Sequence, residues 1–163
     1  MCKRAYIRMS MLSKLKYVGT SKEDLLTIYK LVIRSSLEYC AVVFHSSLTD
    51  KQSNMIERVQ KICLKIILYP KYENYELALK SCNLTNLKVR REHRVLAFSR
   101  KALNHPKHKS MFPISESFLK NPHNLRNLEK YEVNFARTHA YQQSFIPYAQ
   151  KKLNEDYEKT KMQ

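Results

Sequence analysis

The sequence predicts a mainly α chain: a helical bundle, then a long basic helix, then a less ordered C-terminal segment closed by a terminal helix. One glycine in 163 residues leaves little of the positive-φ backbone that hairpins and phosphate-cradling loops use. Apolar residues recur at spacings of three and four along most of the first hundred residues, which is the period of a helix. The breaks between these runs carry capping residues. A hydrophobic content of 44% is enough for a core of ordinary size. The divisions expected are 1–70, 71–105 and 106–163.

The first helix spans residues 3–17, with Ile7, Met11, Leu15 and Val18 as its apolar stripe. Gly19 stands where a left-handed residue ends a helix. Ser21, three residues before Asp24, opens a second helix whose inward face is Leu25, Ile28, Tyr29, Val32, Ile33 and Leu37. Tyr39–Ser47 has no helical period and should bend or break it. Thr49 and Gln52 form a capping-box pair that starts a third helix burying Ile56, Val59, Cys63, Ile66 and Ile67 and ending before Pro70. Asn74 caps a short fourth helix carrying Tyr75, Ala78 and Leu79. A fifth runs from Asn86 to Leu103, stopped by Asn104-His105-Pro106. From Lys107 to Leu128 the periodicity thins to a loosely ordered linker with a short helical turn. Tyr131, Val133 and Phe135 alternate as in an extended segment. Ser144 opens the last helix, with Pro147 in its first turn and Leu153 and Tyr157 buried.

Charge narrows the function. Thirty Lys and Arg against fourteen Asp and Glu give a net charge of +16, and such self-repulsion in one small chain points to a polyanionic partner. A membrane is disfavoured, because no apolar run approaches the roughly 20 residues of a spanning helix, and Lys3, Arg4 and Arg8 interrupt any leader pattern. An intracellular location, nucleus or cytoplasm, follows. The four cysteines, Cys2, Cys40, Cys63 and Cys82, are too far apart for a zinc knuckle or a CxxC pair, so reduced thiols are expected.

The cations cluster. Lys88, Arg90, Arg91, Arg94, Arg100, Lys101, Lys107 and Lys109 face one acid, Glu92. On a helix Arg90, Arg94 and Lys101 lie near one face with Arg91 beside it, a row able to track a phosphate backbone. The first helix carries Lys3, Arg4, Arg8, Lys14 and Lys16 with no acid, and the third adds Arg58, Lys61 and Lys65 opposite its apolar stripe. The candidate nucleic-acid-binding residues are therefore Lys14, Lys16, Arg58, Lys61, Lys65, Arg90, Arg91, Arg94, Arg100 and Lys101. They imply phosphate contacts to RNA, RNA–DNA hybrid or DNA, with no base-reading code.

No catalytic constellation accompanies them. Two-metal nucleotidyl transfer needs paired carboxylates, whereas Glu23-Asp24 sits in a helix first turn and Glu155-Asp156 in a polar tail. His105-x-x-His108 lies on a loop around Pro106, a poor platform for a metal, and His45 beside Phe44 reads as a satisfied core or capping histidine. Glycine-rich phosphate loops and nucleophile elbows are missing. Neither enzymatic activity, cofactor nor metal is expected of this chain alone.

Several stretches resemble a known family. Ile33-Arg34-Ser35-Ser36-Leu37-Glu38-Tyr39-Cys40, then Val43-Phe44-His45 and Leu48-Thr49, are similar to the region after the polymerase core in jockey-like non-LTR (LINE-type) retrotransposon reverse transcriptases. The likeness continues through Gln52, Glu57, Gln60-Lys61, Ile66-Ile67, Tyr75, Ala78-Leu79, Leu84, Leu87 and Arg90-Arg91. It closes with Lys130-Tyr131, Ala136-Arg137-Thr138, Tyr141, Ser144 and Ile146-Pro147-Tyr148. Family members usually carry Pro and Trp before the histidine, where this chain has Val42 and Phe44. The resemblance implies that residues 1–70 are the helical thumb that grips template–primer duplex and that the rest is a C-terminal extension. Fingers, palm and catalytic aspartates would lie upstream, and self-association could follow through a surface that the palm normally covers. The competing expectation is a structural or protein-interaction helical module, with exposed tyrosines docking a partner and charge serving solubility.

Overall fold

The computed structural model describes residues 2–120 and 129–161, and these are mainly helical. They form two units. The first comprises residues 1–41 and 48–91, the second residues 42–47 and 92–163. The boundary between these two units falls inside the long basic helix. A rigid rod supplies packing residues to whichever neighbours its successive turns meet, so a change in composition along it need not mark a boundary.

In the first unit, α1 (Cys2–Tyr17) ends in a Schellman turn. The Gly19 N–H donates to the Lys16 carbonyl and the Thr20 N–H to the Leu15 carbonyl, with Gly19 at φ +91°, a conformation that costs glycine little. The inward face differs from the expected stripe: Ala5 and Leu12 are buried, whereas Ile7 is 71% and Val18 81% exposed, and Met11 is exposed too. Ala5 and Leu12 stand seven residues apart, two helical turns on one face, and the short alanine lets the backbones approach.

Ser21 caps α2 (Lys22–Ile28) by accepting from the Asp24 N–H. The helix then widens into a π turn at Tyr29–Arg34 before resuming as α3 (Ser35–Glu38). Its buried residues explain the widening. Leu25, Tyr29, Ile33 and Leu37 follow one another at intervals of four, and in a pure α-helix each step would swing the stripe by about 40°. A wider turn keeps the four on one face. Cys40, at φ +54°, breaks the chain before α4 (Ala41–Phe44) and a 3-10 turn, His45–Ser47.

The expected capping box is present at the start of α5 (Asp50–Leu68): Thr49 Oγ1 accepts from the Gln52 N–H, and Gln52 Oε1 accepts from the Thr49 N–H. Ile56, Val59, Cys63 and Ile67 are buried as expected, joined by Ser53, Gln60 and Leu64, while Ile66 is only half-buried. Asn74 caps α6 (Tyr75–Ser81) through the Leu77 N–H. That helix closes on Asn83 at φ +49°, asparagine being the residue besides glycine that tolerates this position best. Helix α1 packs on α5, on α2 and on α3, and α5 packs on α2 and α6.

The long helix α7 (Leu87–Leu103) runs from the first unit into the second. There Val95, Ala102, Phe112, Ala149 and Leu153 form the core. The segment after Pro106 is more ordered than the expected linker. It holds a 3-10 turn at Lys109–Met111, the buried Phe112 and α8 (Glu116–Lys120); the expected linker's remainder, 121–128, lies outside the described residues. No strand occurs among the described residues, only an isolated antiparallel bridge between Ile114 and Tyr131.

Past α9 (His139–Gln142), α10 (Phe145–Lys161) holds the extended segment by its side chains. Asn154 accepts from the Tyr131 N–H and donates to the Tyr131 carbonyl, both at 2.9 Å. One turn earlier Gln150 accepts from the Asn134 N–H at 2.9 Å and donates to the Met111 carbonyl at 3.0 Å. Two amides on one helix face thus provide the hydrogen bonds a neighbouring strand would otherwise give. Leu153 is buried as expected and Tyr157 half-buried.

Candidate nucleic-acid interface

The cations of α7 are largely committed to the protein. Arg91 is 0% exposed, among the largest fully buried side chains, and its Nη2 donates to Ser53 Oγ at 2.7 Å. It cannot meet a phosphate in this fold, and the expectation that it would is corrected. The reason is its register: Leu87, Arg91, Val95, Ser99 and Ala102 make one buried stripe at spacings of four and three. Arg90 is claimed too. Its Nε lies 2.7 Å from the carboxylate of Glu38, which is itself 3% exposed and also 4.0 Å from Arg34. Arg90 helps neutralise a buried carboxylate, because an ionised one needs a partner. In the second unit Arg100 forks onto Asp156, its Nη2 at 2.7 Å from both carboxylate oxygens. Arg94 and Lys101 have exposed side chains.

Helix α1 does no better as a continuous rod. Arg8 donates to the Val32 carbonyl at 2.9 Å and Lys16 to the Ile67 carbonyl at 3.2 Å, while Lys3 and Arg4 are exposed at its first turn. Lys14 is exposed.

Helix α5 is different. Arg58, Lys61 and Lys65 are all exposed and fall within about 60° of one another on the helical wheel. Lys51, seven residues before Arg58, extends the same face and is also exposed. Sequence reasoning misses it because it sits in the capping turn, although its heptad spacing to Arg58 is a visible signal. From Lys51 to Lys65 the stripe runs roughly 21 Å at 1.5 Å per residue, and the buried residues lie on the opposite face. The helix also carries two acids, and Asp50 is 92% exposed. Glu57 accepts from the Leu87 N–H, at 3.0 Å to Oε2, and from the Tyr75 hydroxyl; Asp50 pairs with Lys88 at 3.6 Å. The face is thus cationic, rigid and set on a packed support.

A buried polar network braces that helix from behind. The hydroxyl of Tyr29 donates to Gln60 Oε1, and Gln60 Nε2 donates to Tyr75 Oη at 2.8 Å and to the Thr85 carbonyl at 3.1 Å. Burial pushes the Tyr29 and Tyr75 phenols well above their ordinary value, and Cys63 beside them up to about 12.

Comparison with known proteins adds no family: no family model, no curated protein and no solved structure matches this chain. Among the described residues no group of three or more His, Cys, Asp or Glu is placed to hold a metal ion. His45 is buried, its Nε2 3.2 Å from Tyr148 Oη and 4.0 Å from Glu92, which agrees with a satisfied core histidine. The rings of His105 and His108 stack at 4.7 Å. No described helix is long and apolar enough to cross a membrane.

Proposed function

We propose that this chain is a non-catalytic, phosphate-gripping helical module, the thumb and C-terminal extension of a retrotransposon reverse transcriptase, and that α5 is its contact face. The observation that carries the binding part is the exposed row Lys51, Arg58, Lys61 and Lys65 opposite the buried face of a single helix. A row about 21 Å long matches about six steps of one nucleic-acid strand at 3.4 Å each. The family part rests on the run of similar residues from Ile33 to Tyr148. The partner is RNA, RNA–DNA hybrid or DNA, held by its backbone without base reading.

The test is a salt titration of RNA–DNA hybrid binding, wild type against Lys51→Ala/Arg58→Ala/Lys61→Ala/Lys65→Ala. Each phosphate that is no longer neutralised takes about 0.9 from the slope of log K against log salt, so the four-residue variant should show a slope shallower by roughly three and a half units. Far-UV circular dichroism should be unchanged, since alanine suits a helix. An unchanged slope removes α5 as the interface.

A second reading, a protein-interaction module, draws on α1, where Ile7, Met11 and Val18 lie exposed near one face. In that reading the exposed apolar side chains dock a partner and the charge serves solubility. It requires an association that survives about 0.5 M salt, at which phosphate contacts fail, and that Ile7→Ser/Met11→Ser abolishes in sedimentation.

A further inference from the structure

We propose that the cleft at the C-terminal end of α5 takes one unpaired, phosphate-bearing nucleotide: the single-stranded end of a nucleic acid whose backbone follows the α5 row. The inference rests on the reading of α5 above and adds what that row leads into. The cleft belongs wholly to the first unit and has a volume of about 530 Å³, within the range of small-molecule sites.

Its walls divide by chemistry. Ile67, Leu68, Pro70, Leu77 and Ala78 supply an apolar lining. Lys16, Lys22 and Lys71 bring three ammonium groups against one carboxylate, Glu73. Two of these ammonium groups are tied to the cleft's own backbone: Lys16 donates to the Ile67 carbonyl at 3.2 Å and Lys22 to the Ser81 carbonyl at 3.4 Å. An ammonium has three N–H donors, so one carbonyl orients it without saturating it. The tether at Ile67 also answers the negative end of the α5 dipole, which would otherwise repel an anion at a helix C-terminus.

Tyr69 makes the cleft more than an anion site. It is 70% exposed and follows the last residue of α5, four residues beyond Lys65, where the cationic row would place its next member. A planar ring at the end of a line of cations, beside an apolar hollow rimmed by lysines, is the combination that single strands use: phosphates on the cations, a base on the aromatic face. A lipid headgroup or an acidic peptide would engage the lysines without requiring a planar ring at the end of the row.

The experiment compares one RNA–DNA hybrid with a blunt end, with a one-nucleotide 5′-phosphorylated overhang, and with the same overhang made abasic, by fluorescence anisotropy at low salt. Wild type should prefer the base-bearing overhang by about tenfold, the size of one stacked base. The abasic overhang should lose most of that preference. Tyr69→Leu, which keeps apolar bulk and loses the ring, should abolish the preference while blunt affinity stays. Tyr69→Phe should restore it, and Lys22→Ala/Lys71→Ala should reduce it.

Equal binding of blunt and overhanging hybrids overturns the cleft proposal and leaves the α5 reading standing. A preference that the abasic end retains reduces the cleft to an anion site and also overturns it. Tyr69-dependent binding to phosphatidylserine vesicles without an overhang preference assigns the cleft to lipid instead. Failure to bind any of the hybrids defeats the α5 reading itself.

Discussion

Replacing Gln60 by leucine should loosen the first unit through the groups left behind, not through a change of volume. The side chain is fully buried on α5 and connects three other segments: the π turn through Tyr29, α6 through Tyr75, and the approach to α7 through the Thr85 carbonyl. Leucine fills nearly the same space but can accept nothing from Tyr29 and donate nothing to Thr85. An orphaned buried hydroxyl costs about 1–3 kcal/mol, and the lost bond to the carbonyl of exposed Thr85 about 1, so the two cost about 2–4. Tyr75 is spared the full penalty because its hydroxyl still donates to Glu57. Burying leucine in place of an amide returns about 1–2 kcal/mol, and the net loss should be about 1–2 kcal/mol.

Tyr29→Phe alone removes one donor from Gln60 and should cost about 1–2 kcal/mol. In the double variant the orphaned Tyr29 hydroxyl no longer exists, so its destabilisation should fall short of the sum of the singles by about 1–2 kcal/mol. Urea unfolding followed by far-UV ellipticity measures all three, and hydrogen exchange of the α5 amides assigns the transition to the first unit. A Gln60→Leu variant within about 0.5 kcal/mol of wild type, or strict additivity in the double, would refute the network as an energetic unit.

Three further outcomes are expected. Arg91→Ala should destabilise by about 3 kcal/mol or more, as large-to-small core changes do, yet leave the salt slope of binding at the wild-type value; a fall in slope without a fall in stability would return Arg91 to the interface. With its thiol pushed up to about 12, native Cys63 should hold only about one part in ten thousand thiolate at pH 8, so iodoacetamide should modify exposed Cys40 long before it, and comparable native rates by mass spectrometry would contradict the burial. Alkali should destabilise the fold: Tyr29, Tyr75 and Cys63 keep their protons when folded and release them when unfolded above their ordinary values of 10.0, 10.0 and 9.0. The unfolded state then binds fewer protons, and stability falls with rising pH. The urea midpoint should drop from about pH 9 upward, although lysine deprotonation relieves repulsion in the opposite direction, and a flat profile to pH 11 would sink the argument.

Helix ends are legible in this sequence because caps are local chemistry. Ser21 with Asp24, Thr49 with Gln52, Asn74 and Gly19 each act on backbone within a few residues, and no distant partner is needed to read them. Helix faces are legible only where large apolar residues dominate, as on α5. On α1 the eye follows Ile7, Met11 and Val18, while the fold buries Ala5 and Leu12; side-chain size draws attention to the wrong side. The cleft is beyond reach, since it is assembled from residues 16, 22 and 67–81, and their meeting depends on tertiary packing.

The two basic helices show why counting charge alone does not choose between candidate faces for the proposed contact. By sequence α7 is the richer rod, but Arg91 stands at the centre of a buried stripe, Arg90 serves Glu38 and Arg100 serves Asp156. Their positions relative to Leu87 and Val95 can be read from the chain; the habit of assigning every arginine to solvent hides them. On α5 the acids are taken up by Lys88, Tyr75 and the Leu87 amide, and the cations face outward on a helix whose other side is held by Gln60 and its partners. A cation paired with a carboxylate inside the protein contributes less to the field outside it than one left facing solvent. By that criterion α5, with Lys51, Arg58, Lys61 and Lys65 facing outward, is the better candidate for the proposed interface, and the longer series on α7 is not.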